Sequence, residues 1–383
     1  METETLRKIL TRDFILCFFA QFIFTSVVFG LIPTLPIYLS RLGSKEVEIS
    51  ILIGSSSVSS LVIRLFVGRA LLRTPEKYFM IIGALFLASA SIAYMIAPPF
   101  WPFLIVSVLQ GIGFSLFTTA SFTLIANIST GPHRGQSLGY FILAFTLSGA
   151  LAPSLAMSLI NRFDFILLFL VCLGLSLFSL FITLKLGKGR KVPFKDASVE
   201  EGFFLSRRAL QPSLLAFSPF FVWGTLATFF PLYAISHGVT NPGLFFSAVA
   251  VMLTLSRAFG GRILDVYNRE KIILICIIPY IVGMVLLAFS KTLSMFILVA
   301  VIYGIGPGFL VPALMAYALD RGGSPGPAMG TFQAITDLGA SLGPMAMGIV
   351  IQSTNYSTMF LCLALTAIIN LNYFYFFVRK KGG

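Results

Sequence analysis

Long apolar runs, broken by short charged or Pro- and Gly-containing stretches, constrain this chain more than any other feature. A helix needs about 20 predominantly apolar residues to cross the hydrocarbon core of a bilayer, and inside that core every backbone N–H and C=O must be bonded within the segment. Twelve runs meet this length, at 13–40, 47–72, 77–97, 100–128, 134–161, 163–186, 209–236, 241–265, 270–290, 292–320, 325–353 and 356–378. The fold class this predicts is an all-α polytopic membrane protein with twelve transmembrane helices. The stretch 187–208 is the only long polar segment, so it divides the chain into a six-helix bundle over 1–186, a linker, and a second six-helix bundle over 209–383.

Composition agrees. Residues of the set AVILMFWYC make up 57% of the 383, and charged residues only 11%. A soluble domain carries roughly 25% charged residues, so 41 charged side chains could not cover a core of this size. The formal charge of +13 raises the question of nucleic acid. A nucleic-acid binder gathers Lys and Arg on one face, whereas here they fall in small groups between apolar runs. With the N-terminus inside, only Arg41, Lys45, Arg162 and Lys291 lie in outer loops, and the other 23 of 27 basic residues lie inside. Basic residues favour the cytoplasmic side, so both termini are expected in the cytoplasm, in the plasma membrane, with no nucleic-acid partner. The first apolar run is too long for a cleaved signal peptide and is expected to stay as a spanning helix.

The chain also resembles itself. Arg64, Gly68 and Arg69 recur as Arg257, Gly261 and Arg262, and Gly111-Ile112-Gly113 recurs as Gly304-Ile305-Gly306, all 193 residues later. Pro36-Ile37-Tyr38 recurs as Pro231-Leu232-Tyr233 at 195, and Gly139 and Pro153 recur as Gly330 and Pro344 at 191. A repeat of six helices keeps its orientation, which makes two parallel pseudo-symmetric halves related by an axis along the membrane normal.

Four stretches carry a family resemblance. The first span contains Gly30-Leu31-Ile32-Pro33-Thr34-Leu35-Pro36-Ile37-Tyr38, and the fourth contains Leu109-Gln110-Gly111-Ile112-Gly113. The loop after the eighth reads Arg257-Ala258-Phe259-Gly260-Gly261-Arg262-Ile263-Leu264-Asp265, and the eleventh contains Asp337-Leu338-Gly339-Ala340-Ser341-Leu342-Gly343-Pro344. In this order the sequence resembles the major facilitator superfamily, and within it the twelve-helix drug–proton antiporters. The resemblance implies a secondary transporter working by alternating access, exporting small amphipathic or drug-like compounds in exchange for protons. It departs from the family pattern at three places. Leu72 stands at an acidic position, with Thr74-Pro75-Glu76-Lys77 in place of a terminal G-R-R. Ser107 stands where an Arg is usual, and Ser148-Gly149-Ala150-Leu151-Ala152-Pro153 loosens the G-x-x-x-G-P pattern of the fifth span.

The resemblance further implies a cavity lined by spans 1, 4, 7 and 10. Helical spacing then nominates Gln21, Thr25 and Phe29, Gln110, Phe114 and Phe117, Phe220, Trp223 and Thr228, and Tyr303, with Gln333 near Asp337. Such an aromatic lining with few charges suits amphipathic, apolar or neutral polar molecules. The paired motifs nominate Gly68, Arg69 and Arg73, and Arg257, Gly261, Arg262 and Asp265, as a gate. Asp265 could pair with Arg257, Arg262 or Arg269, or with the free N–H groups at the start of the eleventh helix near Ser324. Pro33, Pro36, Pro153, Gly339, Gly343 and Pro344 are candidate hinge or close-approach positions.

Asp337 is the sharpest single residue. Thirteen of the 14 acidic residues fall at helix ends or in loops, and Asp337 falls within a span. A carboxylate there costs about 2.5–3.5 kcal/mol on insertion scales, so it must face the interior, pair, or carry a proton. It is the candidate proton-coupling group. The four cysteines form no C-x-x-C pair, the two histidines are far apart, and no P-loop, G-x-S-x-G or zinc motif is present. No cofactor, metal site or enzymatic activity is therefore expected. The partners expected are a small molecule, protons and lipid, with the chain as a monomer. An importer or facilitator of a neutral metabolite such as a sugar, and a non-transporting membrane sensor, are the alternatives.

Overall fold

The computed structural model describes residues 10–71, 73–128, 134–187, 207–266, 269–322 and 325–378. They form twelve helices: α1 Arg12–Arg41, α2 Glu46–Ala70, α3 Glu76–Ile96, α4 Trp101–Ile128, α5 Arg134–Arg162, α6 Phe165–Leu184, α7 Arg207–Ser236, α8 Gly243–Val266, α9 Arg269–Phe289, α10 Leu293–Gly322, α11 Pro325–Ser353 and α12 Tyr356–Tyr373. A π-helical turn, Phe374–Val378, closes the series. No strand occurs among the described residues. Ten helices are long and apolar enough to cross a membrane, and the described parts of α8 and α9 hold shorter apolar stretches, Gly243–Ser256 and Leu274–Phe289.

Helix ends are closed by the few polar side chains available. Asp164 Oδ1 accepts from Leu167 N at 2.9 Å to cap α6, and Asn355 Oδ1 accepts from Thr358 N at 2.9 Å to cap α12. Each satisfies a first-turn N–H that no helical carbonyl can reach. Lys77 does the converse at the far end of α6, where its Nζ donates to Leu184 O at 2.7 Å and Leu186 O at 2.6 Å.

The chain divides into two compact units, Met1–Leu31 with Val58–Glu201, and Ile32–Ser57 with Gly202–Gly383. The division therefore also cuts α1 and α2, so the hairpin between them groups with the second unit rather than with the first six helices. The cut in α1 falls beside Pro33, which removes a backbone donor, and the cut in α2 falls in the Ser55-Ser56-Ser57 run. There Ser55 and Ser56 bond back to Leu52 O and Ile53 O, both at 2.8 Å, a habit that bends helices.

Within unit 1, α3 and α4 cross at backbone distance. A Cβ on Gly113 would lie 2.9 Å from Gly83 O, and one on Gly83 would lie 2.7 Å from Gly113 O. Unit 2 repeats this crossing between α9 and α10, where a Cβ on Gly306 would lie 2.9 Å from Cys276 O. Gly113 and Gly306, and Gly83 and Cys276, are both 193 residues apart, so the repeat read from the sequence is also a repeat of packing. The core of unit 2 gathers Phe229, Phe230, Tyr233, Phe245, Phe296 and Phe360 around stacked and edge-on ring pairs. Cys17, Cys172 and Cys276 are buried free thiols, and Cys362 is half-buried.

Candidate functional site

Asp337 lies near the middle of α11, 12 residues after Pro325 and 16 before Ser353. It is half-buried, and its Oδ2 is fully enclosed. The geometry of α11 fixes which way it faces. Gly339 and Gly343 meet α7: a Cβ on Gly339 would lie 2.5 Å from Phe217 O, and one on Gly343 would run into Phe221 O and stand 2.9 Å from Thr225 Oγ1. From α7, Gly224 meets the Ala340 carbonyl in the same way. At about 100° per residue, Asp337 points away from the Gly339 side and shares a face, within about 60°, with Ser341, Pro344 and Gly348. Further along α11 that face is covered by the first half of α2, where a Cβ on Gly348 would lie 2.6 Å from Ser50 Oγ and one on Gly54 3.2 Å from Ser341 O. The small residues of both helices thus permit a close approach on the same face of α11 that carries Asp337. Gln333, one turn earlier, is exposed.

The predicted lining residues separate into two groups. Gln21, Thr25, Phe117 and Thr228 have no exposed surface, Tyr303 is 1% exposed and Gln110 8%. Phe29, Phe114, Phe220 and Trp223 are half-buried. The enclosed group is held by partners inside its own unit. Gln110 Oε1 accepts from the Tyr94 hydroxyl on α3, with Ser107 beside that phenol, so the position where the family usually has Arg faces into unit 1. Phe117 stacks on Phe24 with centroids 4.0 Å apart. Tyr303 packs at 5.9 Å against Tyr280, whose hydroxyl donates to Ser218 O at 3.0 Å.

Gln21 and Thr25 belong to a polar cluster that joins three helices. Ser121 on α4 donates to Gln21 Oε1 at 2.5 Å, Ser148 on α5 donates to Thr25 Oγ1 at 2.9 Å, and Thr25 donates to Gln21 O at 2.7 Å. Sequence reading had no sign of Tyr94 or Ser121 as partners. The signal was present only indirectly, since a Tyr or Gln enclosed in an apolar span must find a partner in a neighbouring helix.

The gating motifs lie at helix ends. The stretch Arg257 to Asp265, already inside the expected span 241–265, forms the end of α8, which continues to Val266. Two adjacent glycines cost about 1 kcal/mol each in a helix, but unbonded backbone in hydrocarbon costs several, so the helix persists to the membrane edge. Gly68 and Arg69 likewise lie in the last turn of α2, and Arg73 is exposed in the turn that follows. The side chains of Arg69, Arg257, Arg262, Asp265 and Arg269, and all of Leu72 and Ser324, lie outside the described residues. Pro33, Pro36, Pro153 and Pro344 all sit inside helices.

A multi-pass helical protein made of a duplicated six-helix set, with glycines bringing helices to backbone contact, has the construction of a membrane transporter. The profile of the Major Facilitator Superfamily matches residues 17–322 and 239–383, and the chain belongs to that family of transporters. Among its relatives, the staphylopine export protein of Staphylococcus aureus is 23% identical over 346 residues, covering 86% of each chain. The multidrug resistance protein MdtG of Escherichia coli is 28% identical over 162 residues, 40% of each chain. Solved structures share the fold. The nucleoside transporter NupG has a TM-score of 0.74 at 14% identity, over 95% of this chain and 98% of that one. A POT family transporter in complex with a thioalcohol-conjugated peptide has a TM-score of 0.78 at 13% identity, over 96% of both.

Proposed function

We propose that the protein exports small amphipathic compounds in exchange for protons, by alternating access between two six-helix halves joined by a cytoplasmic linker at 187–208. The observation that carries this reading is Asp337, a carboxylate at mid-helix on a face of α11 lined by small residues. A carboxylate inside a span is costly and rare, and in this reading it is the group that takes up a proton on one side and releases it on the other. Export is supported by the relatives, whose names include a staphylopine exporter and a multidrug resistance protein. The basic residues support termini in the cytoplasm and a place in the plasma membrane. The functional unit in this reading is a monomer. Asp265, at the end of α8, is the gating acid, and Asp265→Asn is expected to slow exchange while leaving the fold intact.

A second reading, facilitated movement of a neutral metabolite without proton cycling, is favoured by one observation: Ser107 and Leu72 replace charges that the family usually carries. Reconstitution separates the two. In vesicles with an imposed pH gradient, the wild-type protein should drive a fluorescent amphipathic dye against its gradient, and Asp337→Asn should abolish the pH-driven component. Equal, pH-independent flux in both proteins would remove Asp337 from the mechanism.

A further inference from the structure

Where α3 begins and α6 ends, unit 1 carries two ammonium groups, on half-buried Lys77 and exposed Lys185. Lys77 spends two of its three N–H donors on Leu184 O and Leu186 O, leaving one. Lys185, immediately after α6, is exposed, with its Nζ 4.2 Å from the centroid of the Phe181 ring. Among the described residues its ammonium donates to no protein acceptor. The carboxylates nearby are already engaged. Glu76 is 8% exposed, and its Oε1 accepts from Asn127 Nδ2 at 2.5 Å, while Asp13 Oδ1 accepts from Gly187 N at 3.3 Å.

Away from the two lysines the surface is apolar. On α3, Tyr78, Ile82 and Leu85 are 54%, 43% and 46% exposed at helical spacing, and on α6, Phe178, Phe181 and Leu184 are each 52% exposed. The two helices pack side by side. Lysine stems lying along apolar surface with their heads at the polar boundary are a snorkelling arrangement. Here one head lies over a ring and the other is fixed to a helix end, so both are preorganised.

We propose that this face binds an anionic phospholipid, with its phosphate between the Lys77 and Lys185 ammonium groups and its acyl chains along α3 and α6. Charge and shape both match: a negative head above two tails meets two cations above an apolar strip. The leaflet, but not the lipid chemistry, rests on the orientation proposed above, which makes it the cytoplasmic one.

Native mass spectrometry of the full chain, offered equal amounts of phosphatidylglycerol and phosphatidylcholine, tests the site. Each juxtamembrane cation contributes about fivefold to the affinity for an anionic lipid. The wild-type protein should therefore retain phosphatidylglycerol in excess by about tenfold or more. Lys185→Gln should lower that preference about fivefold with at most a small fall in melting temperature, since it removes the exposed contact with Phe181 but no hydrogen bond within the protein, and Lys185→Arg should keep it. Equal uptake of the two lipids by the wild-type protein, or an undiminished preference in Lys185→Gln, overturns the proposal. Labelling Gly187→Cys with an impermeant maleimide, in a Cys362→Ser background, reads the orientation separately. Labelling from outside the cell would refute the cytoplasmic leaflet and leave the measured lipid preference standing.

Discussion

The crossing of α1 with α5 and that of α7 with α11 occupy equivalent places in the repeat but are built from opposite materials. With α1 and α7 offset by 195 and α5 and α11 by 191, Thr25 corresponds to Phe220, Ser148 to Gly339, Gly30 to Thr225 and Ala152 to Gly343. In the first crossing the Ser148 hydroxyl donates to Thr25, and Gly30 sits close but not in clash: a Cβ there would stand 3.3 Å from Ala156 Cβ and 3.7 Å from Ala152 O. In the second, Phe220 and Gly339 stand in place of that bonded pair, and two glycines of α11 lie on the carbonyls of α7. Hydrogen bonds between membrane helices are individually weak, averaging about 0.6 kcal/mol, whereas contact between backbones tolerates no added atom. The first half is thus the looser at this crossing, and the second leaves no space for a side chain. The acid follows the same asymmetry, since the α5 position 191 residues before Asp337 is Thr146, whose hydroxyl bonds to Ile142 O at 3.2 Å.

The strongest way to break this comparison is Gly343→Ala. Its Cβ would press on the Phe221 backbone, which cannot turn aside as a side chain can, so a loss of about 3 kcal/mol is expected, read as a fall in thermal midpoint in detergent. The reverse change in unit 1, Ala152→Gly, should cost about 1 kcal/mol or less. Equal losses would show that the two crossings are equally tight. Next in size, Gly113→Ala and Gly306→Ala should each cost about 1–3 kcal/mol and match one another, because the α3–α4 and α9–α10 crossings are geometrically alike. A double-mutant cycle of Thr25→Val and Ser148→Ala should return a coupling of about 0.6 kcal/mol, and a value near zero would mean that apolar contact alone holds that crossing. The smallest contrast is between tyrosines. Tyr94→Phe strips Gln110 Oε1 of its donor and should cost about 1 kcal/mol. Tyr280→Phe should cost less, because its acceptor is a helical carbonyl that keeps its place in α7.

Much of the fold was legible in the chain itself. Every apolar run became a helix with ends shifted by a few residues, because hydrocarbon leaves backbone no alternative to the helix. Asp337 was legible for a related reason, as the one acid away from a helix end. Direction was not legible. A helix apolar on all sides carries no stripe to say which neighbour a given residue meets. Gln110 and Phe117, read as facing a cavity, are engaged by Tyr94 and Phe24 instead.

The thiols have a practical consequence. Cys17 has no exposed surface, Cys172 is 3% exposed and Cys276 7%, so a water-soluble alkylating reagent should find little to react with beyond Cys362. Replacing that one residue with serine leaves a background in which any new surface cysteine reports alone. The native chain comes nearly ready for site-directed accessibility mapping, with its core side chains undisturbed.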